Sequence, residues 1–128
     1  MAEIGEFTEG ALVFIWNADS GLQNALMDSL HKVLSPQTYS CKLCQLTYGI
    51  TGPKMRWTEI LKTLGRPVAC YHRDEFQRTP IAEKFPSLEL PAVLIATSDR
   101  LQILLSRDEI GQCKDLQALL GALKKRID

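Results

Sequence analysis

The sequence predicts an α/β fold, in which one mixed sheet of four to five strands lies between helices. Short apolar runs alternate along the chain with stretches in which apolar residues recur every three or four positions. Strands separated by helices pair in parallel through right-handed crossovers. Late in the chain, two apolar runs are separated only by the polar turn 98–100 and predict an antiparallel hairpin at the edge of the sheet.

The beginning of the chain predicts a central strand and a helix. Ala11–Trp16 is apolar throughout, as expected for a strand covered on both faces. A helix is predicted from Ser20 to Leu34, because Ser20 and Gln23 fit a capping box and apolar residues then form one stripe. The residues after this helix, about 35–66, are read as an insertion.

The insertion carries a C-x-x-C pair and a second helix. Around Cys41 and Cys44, alternating apolar residues are compatible with a strand, while a short helix starting near Cys41 fits equally well. A helix is predicted over Lys54–Leu64, with Gly65 as its C-cap.

The remainder of the chain predicts three more strands and two more helices within the same single domain, 1–128. In order they are a strand at Pro67–His72, a short helix opened by Thr79–Pro80 and closed by Phe85–Pro86, a strand at Pro91–Thr97, an edge strand at Leu101–Leu105 and a helix at Lys114–Ile127. In the edge strand, Leu101, Ile103 and Leu105 recur at every second position, as in a partly exposed strand.

Composition limits the class of function. Fifteen basic and fifteen acidic residues cancel, which gives no support for binding nucleic acid or for electrostatic attachment to a membrane. The acidic N-terminus lacks the order of a signal peptide, so a cytoplasmic location is expected. In that reducing compartment the four cysteines are expected to be thiols, redox groups or metal ligands. A protein or small-molecule partner, and a monomer or homodimer, are the expected associations.

The second half of the chain, Val68–Leu123, resembles the thioredoxin-like superfamily. The matching landmarks are a strand leading into Asp74-Glu75, a short helix ending in Lys84-Phe85-Pro86, the run Leu90-Pro91-Ala92-Val93, a hairpin, Gly111 and an amphipathic last helix. The first strand and helix fit the same plan. The resemblance implies a thioredoxin-like sandwich, in which Pro91 looks like the cis proline that faces the active site.

The cysteine pair departs from this resemblance. Thioredoxin-like oxidoreductases carry C-x-x-C where the first strand meets the first helix, and here that place reads Asn17–Gly21. The intervening helix would be about 22 Å long at 1.5 Å per residue and would return the chain to the opposite end of the sheet. Cys41 and Cys44 are therefore expected to begin far from Pro91 unless the insertion folds back, and the usual thioredoxin mechanism does not transfer.

Two further stretches resemble small bacterial proteins of unknown function, some of which are labelled as GTPases. They are NADSGLQNAL and YSCKLCQLTYG. The chain has no G-x-x-x-x-G-K-[ST] loop to hold phosphates, so we give the GTPase label little weight.

Cys41 and Cys44 are the main candidate site. Two intervening residues bring the sulfurs within bonding range in a helical turn, so the pair can cycle between dithiol and disulfide without a cofactor. Cys41 would be the attacking thiolate and Cys44 the resolving thiol, with Lys42 able to stabilise a thiolate. Alternatively, the pair and His31 could bind zinc or copper. No second C-x-x-C or H-x₃₋₅-H supplies a fourth ligand.

A second candidate is the turn that follows the first strand, because ligands of open α/β sheets bind at the carboxyl ends of strands. Asn17, Asp19 and Ser20, beside Pro91, could hold a small polar ligand. Simple N-capping by Ser20 is the competing interpretation.

Three further groups of residues are better explained without a site. Trp57, with Tyr39, Tyr48 and Met55, is best explained by core packing, although the same set could form a patch for a partner. Cys70 is expected to be a small core residue and Cys113 an ordinary thiol before the last helix.

The resulting hypothesis is a thiol–disulfide redox or redox-sensing protein that uses Cys41 and Cys44. The alternative is a non-enzymatic module, for binding a metal or a protein, in which the cysteines are ligands or structural. Enzymatic activity is left open.

Overall fold

Strands and helices alternate along the part of the chain that the computed structural model describes, residues 8–20, 41–49, 52–97 and 100–127. The strands are β1 (Leu12–Ile15), β2 (Tyr48–Gly49), β3 (Gly52–Pro53), β4 (Val68–Tyr71), β5 (Ala92–Ala96) and β6 (Leu101–Leu105). The helices are α1 (Lys42–Thr47), α2 (Met55–Leu64), α3 (Arg73–Gln77), α4 (Ile81–Lys84), α5 (Arg107–Gly111) and α6 (Leu116–Ile127). Beyond Ser20, the helix predicted to end at Leu34 lies outside the described residues.

Four strands form one mixed sheet in the order β4-β1-β5-β6. β1 is parallel to β4 and antiparallel to β5, and β5 pairs with β6 as an antiparallel hairpin. The predicted α/β class, the mixed sheet and the late hairpin are confirmed. The sheet has an end at which β1 and β4 finish and β5 begins, and we call it the site end. Asn17, His72 and Pro91 lie there.

β1 is covered on both faces, as predicted. Leu12 and Phe14 point to the face on which α1, α2 and α6 pack, while Val13 and Ile15 point to the face of α3 and α4. All four side chains are fully buried. The Trp57 ring of α2 stands edge-on against Phe14 with the ring centroids 5.0 Å apart, a favoured aromatic geometry. The sheet is therefore the middle of three layers.

Helix α2 follows the sequence prediction closely. Trp57 and Ile60 are buried, and Leu61 and Leu64 pack partly buried against the same cluster. Gly65 ends the helix with φ 63°, in the left-handed region, where glycine has no Cβ to clash.

The edge strand β6 departs from simple alternation. Leu101 and Leu105 are buried, but Ile103 is 49% exposed and Leu104 is buried instead. The pairing of β6 with β5 skips Leu104. An extra residue in one strand of an antiparallel pair is a β-bulge, which reverses the faces of the residues after it.

Two short helices, α3 and α5, were not predicted. Each begins with a capping box, formed by His72 and Glu75 for α3 and by Ser106 and Glu109 for α5. Helix α4 starts one residue later than expected, with Pro80 as its N-cap. The longest helix in the described ranges, α6, has 12 residues, and none there has the length and apolar character needed to cross a bilayer.

Candidate functional site

The C-x-x-C pair lies at the start of helix α1. Cys41 immediately precedes the helix and Cys44 lies in its first turn, with their Cα atoms 5.2 Å apart. The two sulfurs lie at disulfide-bond distance. The choice left open by the sequence is thus resolved in favour of a short helix, and the expected approach of the two sulfurs is confirmed.

The Cys41 sulfur accepts two backbone hydrogen bonds. The Cys44 N–H donates to it over 3.1 Å and the Asn17 N–H over 3.3 Å. The Cys41 carbonyl accepts from the Gln45 N–H, so Cys41 is the N-cap of α1, where first-turn N–H groups have no other helical partner. Donors of this kind favour the ionised form of the group that accepts them.

The contact with Asn17 places the cysteine pair at the site end of the sheet. Asn17 follows β1, and Ile15 of that strand pairs with Ala92, the residue after Pro91. The exception that the expectation allowed for therefore applies: the insertion folds back, and Cys41 and Cys44 lie at the same end of the sheet as Pro91 and not far from it. The premise of the expectation was the direction of the predicted helix alone, which left out the contacts of Trp16 and Asn17 with α1. The Leu90–Pro91 bond is cis, as the resemblance implies, and Pro91 is buried.

The end of β1 also holds the C-terminal half of α1. The Trp16 Nε1–H donates to Thr47 Oγ1 over 3.1 Å, and the Thr47 hydroxyl donates to the Leu43 carbonyl over 2.7 Å. Thr47 is fully buried, so these bonds satisfy a hydroxyl that would otherwise be costly to bury. The Trp16 ring also lies against the His72 ring, with centroids 5.5 Å apart. Trp16 and Asn17 together fix both ends of α1 against the sheet.

Both cysteines of the pair are shielded from solvent. Cys41 is 0% and Cys44 is 4% exposed. A reagent in solution can therefore reach either sulfur only when α1 or its surroundings move.

Asn17 and Asp19, two predicted ligand-binding residues, are bound by Arg73 of α3. The Arg73 Nε–H and Nη2–H groups donate to the two Asp19 carboxylate oxygens over 2.9 and 3.0 Å. Its Nη1–H donates to Asn17 Oδ1 over 3.3 Å, and its backbone N–H donates to the Ala18 carbonyl over 2.9 Å. The Arg73 guanidinium lowers the pKa of Asp19 through this hydrogen bonding.

Ser20 contacts the next residue of α3. Its N–H and its hydroxyl donate to the two oxygens of Asp74 over 2.8 and 2.6 Å. These bonds lower the pKa of the Asp74 carboxyl to about 2. Binding of a ligand by Asn17, Asp19, Ser20 and Pro91 stays a prediction. The partners in α3 were missed because they lie 54 residues or more further along the chain.

His72 caps α3 beside the Trp16 ring. Its backbone N–H donates to Glu75 Oε1 over 2.8 Å, and its Nδ1 lies 3.0 Å from the same oxygen. The backbone bond is the main reason that the pKa of Glu75 is lowered.

The two other cysteines are not part of the pair. Cys113 lies buried between α5 and α6, and burial raises the pKa of its thiol despite an opposing interaction with the Lys42 ammonium. Cys70 was expected in the core and is exposed. The expectation is wrong because β4 lies at the edge of the sheet that the described strands form, with β1 as its neighbour there, and edge strands are less covered than central ones.

The metal alternative needs His31, which lies outside the described residues. Within the described ranges, no group of three His, Cys, Asp or Glu side chains is arranged to hold a metal ion. Binding of zinc or copper by His31, Cys41 and Cys44 stays a prediction.

Of the aromatic and apolar set in the insertion, Trp57 packs in the core as expected. Met55 does not, because it is the first residue of α2 and 79% exposed. Tyr39 and the side chain of Tyr48 lie outside the part of the chain that is described.

Comparison of the chain with protein-family models, with curated proteins and with solved structures gives no match. Any function assigned to this chain therefore depends on the geometry of its own residues.

Proposed function

We propose that this protein is a thioredoxin-like thiol–disulfide switch that cycles between the dithiol and disulfide forms of Cys41 and Cys44. The observation that carries the proposal is the environment of the Cys41 sulfur, which lies at disulfide distance from Cys44 and accepts two backbone N–H groups. A pair of this kind needs no cofactor.

The arrangement of elements supports the thioredoxin-like part of the proposal. Parallel strands β1 and β4 are followed by two short helices, the Pro91 segment, the β5–β6 hairpin and the long helix α6. This is the order of the landmarks on which the sequence resemblance depends. Fold alone does not assign a function, so the redox part depends on the cysteines.

The reaction is a thiol–disulfide exchange with a protein or low-molecular-weight disulfide. The Cys41 thiolate attacks one substrate sulfur, the substrate S–S bond breaks, and its other sulfur leaves as a thiolate that takes up a proton. The Cys44 thiolate then attacks the Cys41 sulfur, which restores the Cys41–Cys44 bond and releases the second substrate thiol. The pair loses two electrons and two protons, and the substrate disulfide gains them.

Burial of the pair supports a switch more than a general reductase. Cys41 and Cys44 are inaccessible to a bulky protein disulfide until α1 moves. Reduction breaks a covalent link within the first turn of α1, so the redox state of the pair acts on the packing of that helix. A slow response to the thiol–disulfide balance of the surroundings is the behaviour expected of a sensor.

The test is a redox titration. The protein is equilibrated in glutathione buffers of graded oxidised-to-reduced ratio, free thiols are trapped with an alkylating reagent, and the trapped thiols are counted by intact mass and located by peptide mapping. We expect Cys41 and Cys44 to change together in one two-electron transition, which is absent in Cys41→Ser and present in the matched control Cys70→Ser.

Two results would overturn the proposal. The first is a pair that stays in one state across the whole range of buffers. The second is a zinc or copper mass in native mass spectra of protein purified without added metal or chelator, lost in Cys41→Ser, which would support the metal-binding module instead.

A further inference from the structure

The two donors to the Cys41 sulfur differ in origin. Cys44 belongs to the same helical turn as the sulfur, so its N–H stays beside Cys41 whenever α1 is formed. Asn17 belongs to the turn after β1, 24 residues earlier in the chain. Its N–H contacts the sulfur only if that turn is held in the correct position by something other than α1.

Arg73 of α3 contacts most positions of this turn, and the neighbouring Asp74 binds its last residue, Ser20. The guanidinium and backbone of Arg73 contact three consecutive residues, Asn17, Ala18 and Asp19. The two parallel bonds to the Asp19 carboxylate use the planar fork of arginine, a geometry that a lysine cannot reproduce. Arg73 therefore holds the Asn17 side chain and also the two residues that follow it, which limits how far the Asn17 backbone can move.

We infer that Arg73 is a positioning residue for the cysteine pair, which acts through Asp19 and Asn17 to keep the Asn17 N–H on the Cys41 sulfur. This inference rests on the proposed redox function and adds to it a residue that no C-x-x-C motif contains. Arg73 contacts neither sulfur itself in the described part of the structure.

The sign of the effect follows from the charge of the acceptor. A hydrogen bond to an ionised sulfur is stronger than one to a neutral disulfide sulfur, so the Asn17 N–H stabilises the reduced thiolate more than the oxidised pair. A stabilised reduced form makes a disulfide more oxidising. Loss of the Arg73 contacts should therefore make the pair harder to reduce and its Cys41 thiol less reactive.

The test compares the redox equilibrium of Arg73→Gln with that of the wild-type protein. In the glutathione titration we expect the equilibrium constant for reduction to fall about tenfold, which corresponds to about 30 mV for a two-electron couple. Arg73→Lys should recover only part of the difference, because it keeps a charge near Asp19 but not the fork.

Arg66→Gln is the matched control. Arg66 lies near the other end of β1, where it donates to the Gly10 carbonyl over 3.1 Å. Its loss should therefore affect the fold without changing the turn after β1, to which Asn17 belongs. The double variant Asp19→Asn/Arg73→Gln should match Arg73→Gln, since both substitutions break the same contact.

The outcomes separate the two claims. If the wild-type pair does not titrate at all, the proposed function fails. If the wild-type pair titrates and Arg73→Gln gives the same equilibrium constant as wild type or as Arg66→Gln, the positioning role fails and the redox function stands. A selective fall in Arg73→Gln supports both.

Discussion

Helices α1 and α5 are both short and pack against each other, but their first turns are capped by different chemistry. In α5, the Ser106 hydroxyl accepts a hydrogen bond from the Glu109 N–H over 3.2 Å, and the Glu109 carboxylate accepts one from the Ser106 N–H over 2.9 Å. In α1, a sulfur takes the place of that hydroxyl and accepts the N–H of Cys44 over 3.1 Å.

Under the proposed function, this difference means that only α1 of the two helices responds to oxidation. The cap of α5 is closed by residues within its own first turn and has the same chemistry in every redox environment. The cap of α1 is a sulfur at disulfide distance from a second cysteine, and it is completed by Asn17 from a distant turn. Reduction should therefore change α1 and leave α5 as it is.

The largest expected effect comes from removing the buried anchor of each helix. Leu43 of α1 and Ile110 of α5 are fully buried, so Leu43→Ala and Ile110→Ala should each lower the free energy of unfolding by about 2–5 kcal/mol. Only Leu43→Ala should also accelerate reduction of the cysteine pair by a small dithiol, because it favours local opening of α1. Denaturant unfolding and thiol-release rates measure the two effects.

If Ile110→Ala accelerated reduction as much as Leu43→Ala, the sulfurs would be exposed by general unfolding and not by movement of α1. The distinction between the two helices would then have no kinetic meaning.

A smaller effect is expected from the oxygen cap. Ser106→Ala should lower the free energy of unfolding by about 1 kcal/mol, because the Glu109 N–H loses its acceptor. The loss should be the same for the oxidised and the reduced protein, and Ser106→Thr should largely prevent it. Urea titrations in both redox states measure it, and a loss confined to one state would contradict the separation of the two caps.

The smallest effect concerns the turn that completes the α1 cap. The contact with Ser20 lowers the pKa of Asp74 from an ordinary value of 3.8 to about 2. The pKa of Asp74 is lower in the folded protein than in the unfolded chain. The contact therefore stabilises the fold at pH values above the ordinary pKa, and this stabilisation is lost as the pH falls towards 2. Asp74→Asn should lower the melting temperature slightly at pH 6. The melting temperatures of the variant and the wild-type protein, measured as a function of pH, should converge near pH 2.

If the difference in melting temperature between the wild-type protein and Asp74→Asn stayed constant from pH 6 to pH 2, the charge of Asp74 would not stabilise the turn. Glu83→Gln, at an exposed position of α4, is a suitable control for the general effect of removing one acidic group.

Local signals in the sequence predicted local structure well. The apolar run of β1, the stripe of α2 and its end at Gly65 were correctly predicted, because each depends on residues close together in the chain. The capping box at Ser106 and Glu109 is a signal of the same type and could have revealed α5.

The candidate site was only half predictable. The spacing of Cys41 and Cys44 correctly predicted that the two sulfurs approach each other, but nothing local indicated that the pair returns to the end of β1. That return depends on contacts between residues far apart in sequence, such as Trp16 with Thr47 and Asp19 with Arg73. Contacts of this range leave no periodic pattern in one sequence, and so they could not be inferred from it.

The proposed coupling between the cysteine pair and α1 is tested most directly by following three backbone amides by NMR as the protein is reduced. The N–H groups of Asn17 and Cys44 donate to the Cys41 sulfur, and that of Glu109 donates to the Ser106 hydroxyl. We expect the Asn17 and Cys44 amide signals to shift together with reduction of the pair, while the Glu109 signal keeps its position. Equal shifts at all three amides, or no shift at Asn17 and Cys44, would contradict the proposed coupling.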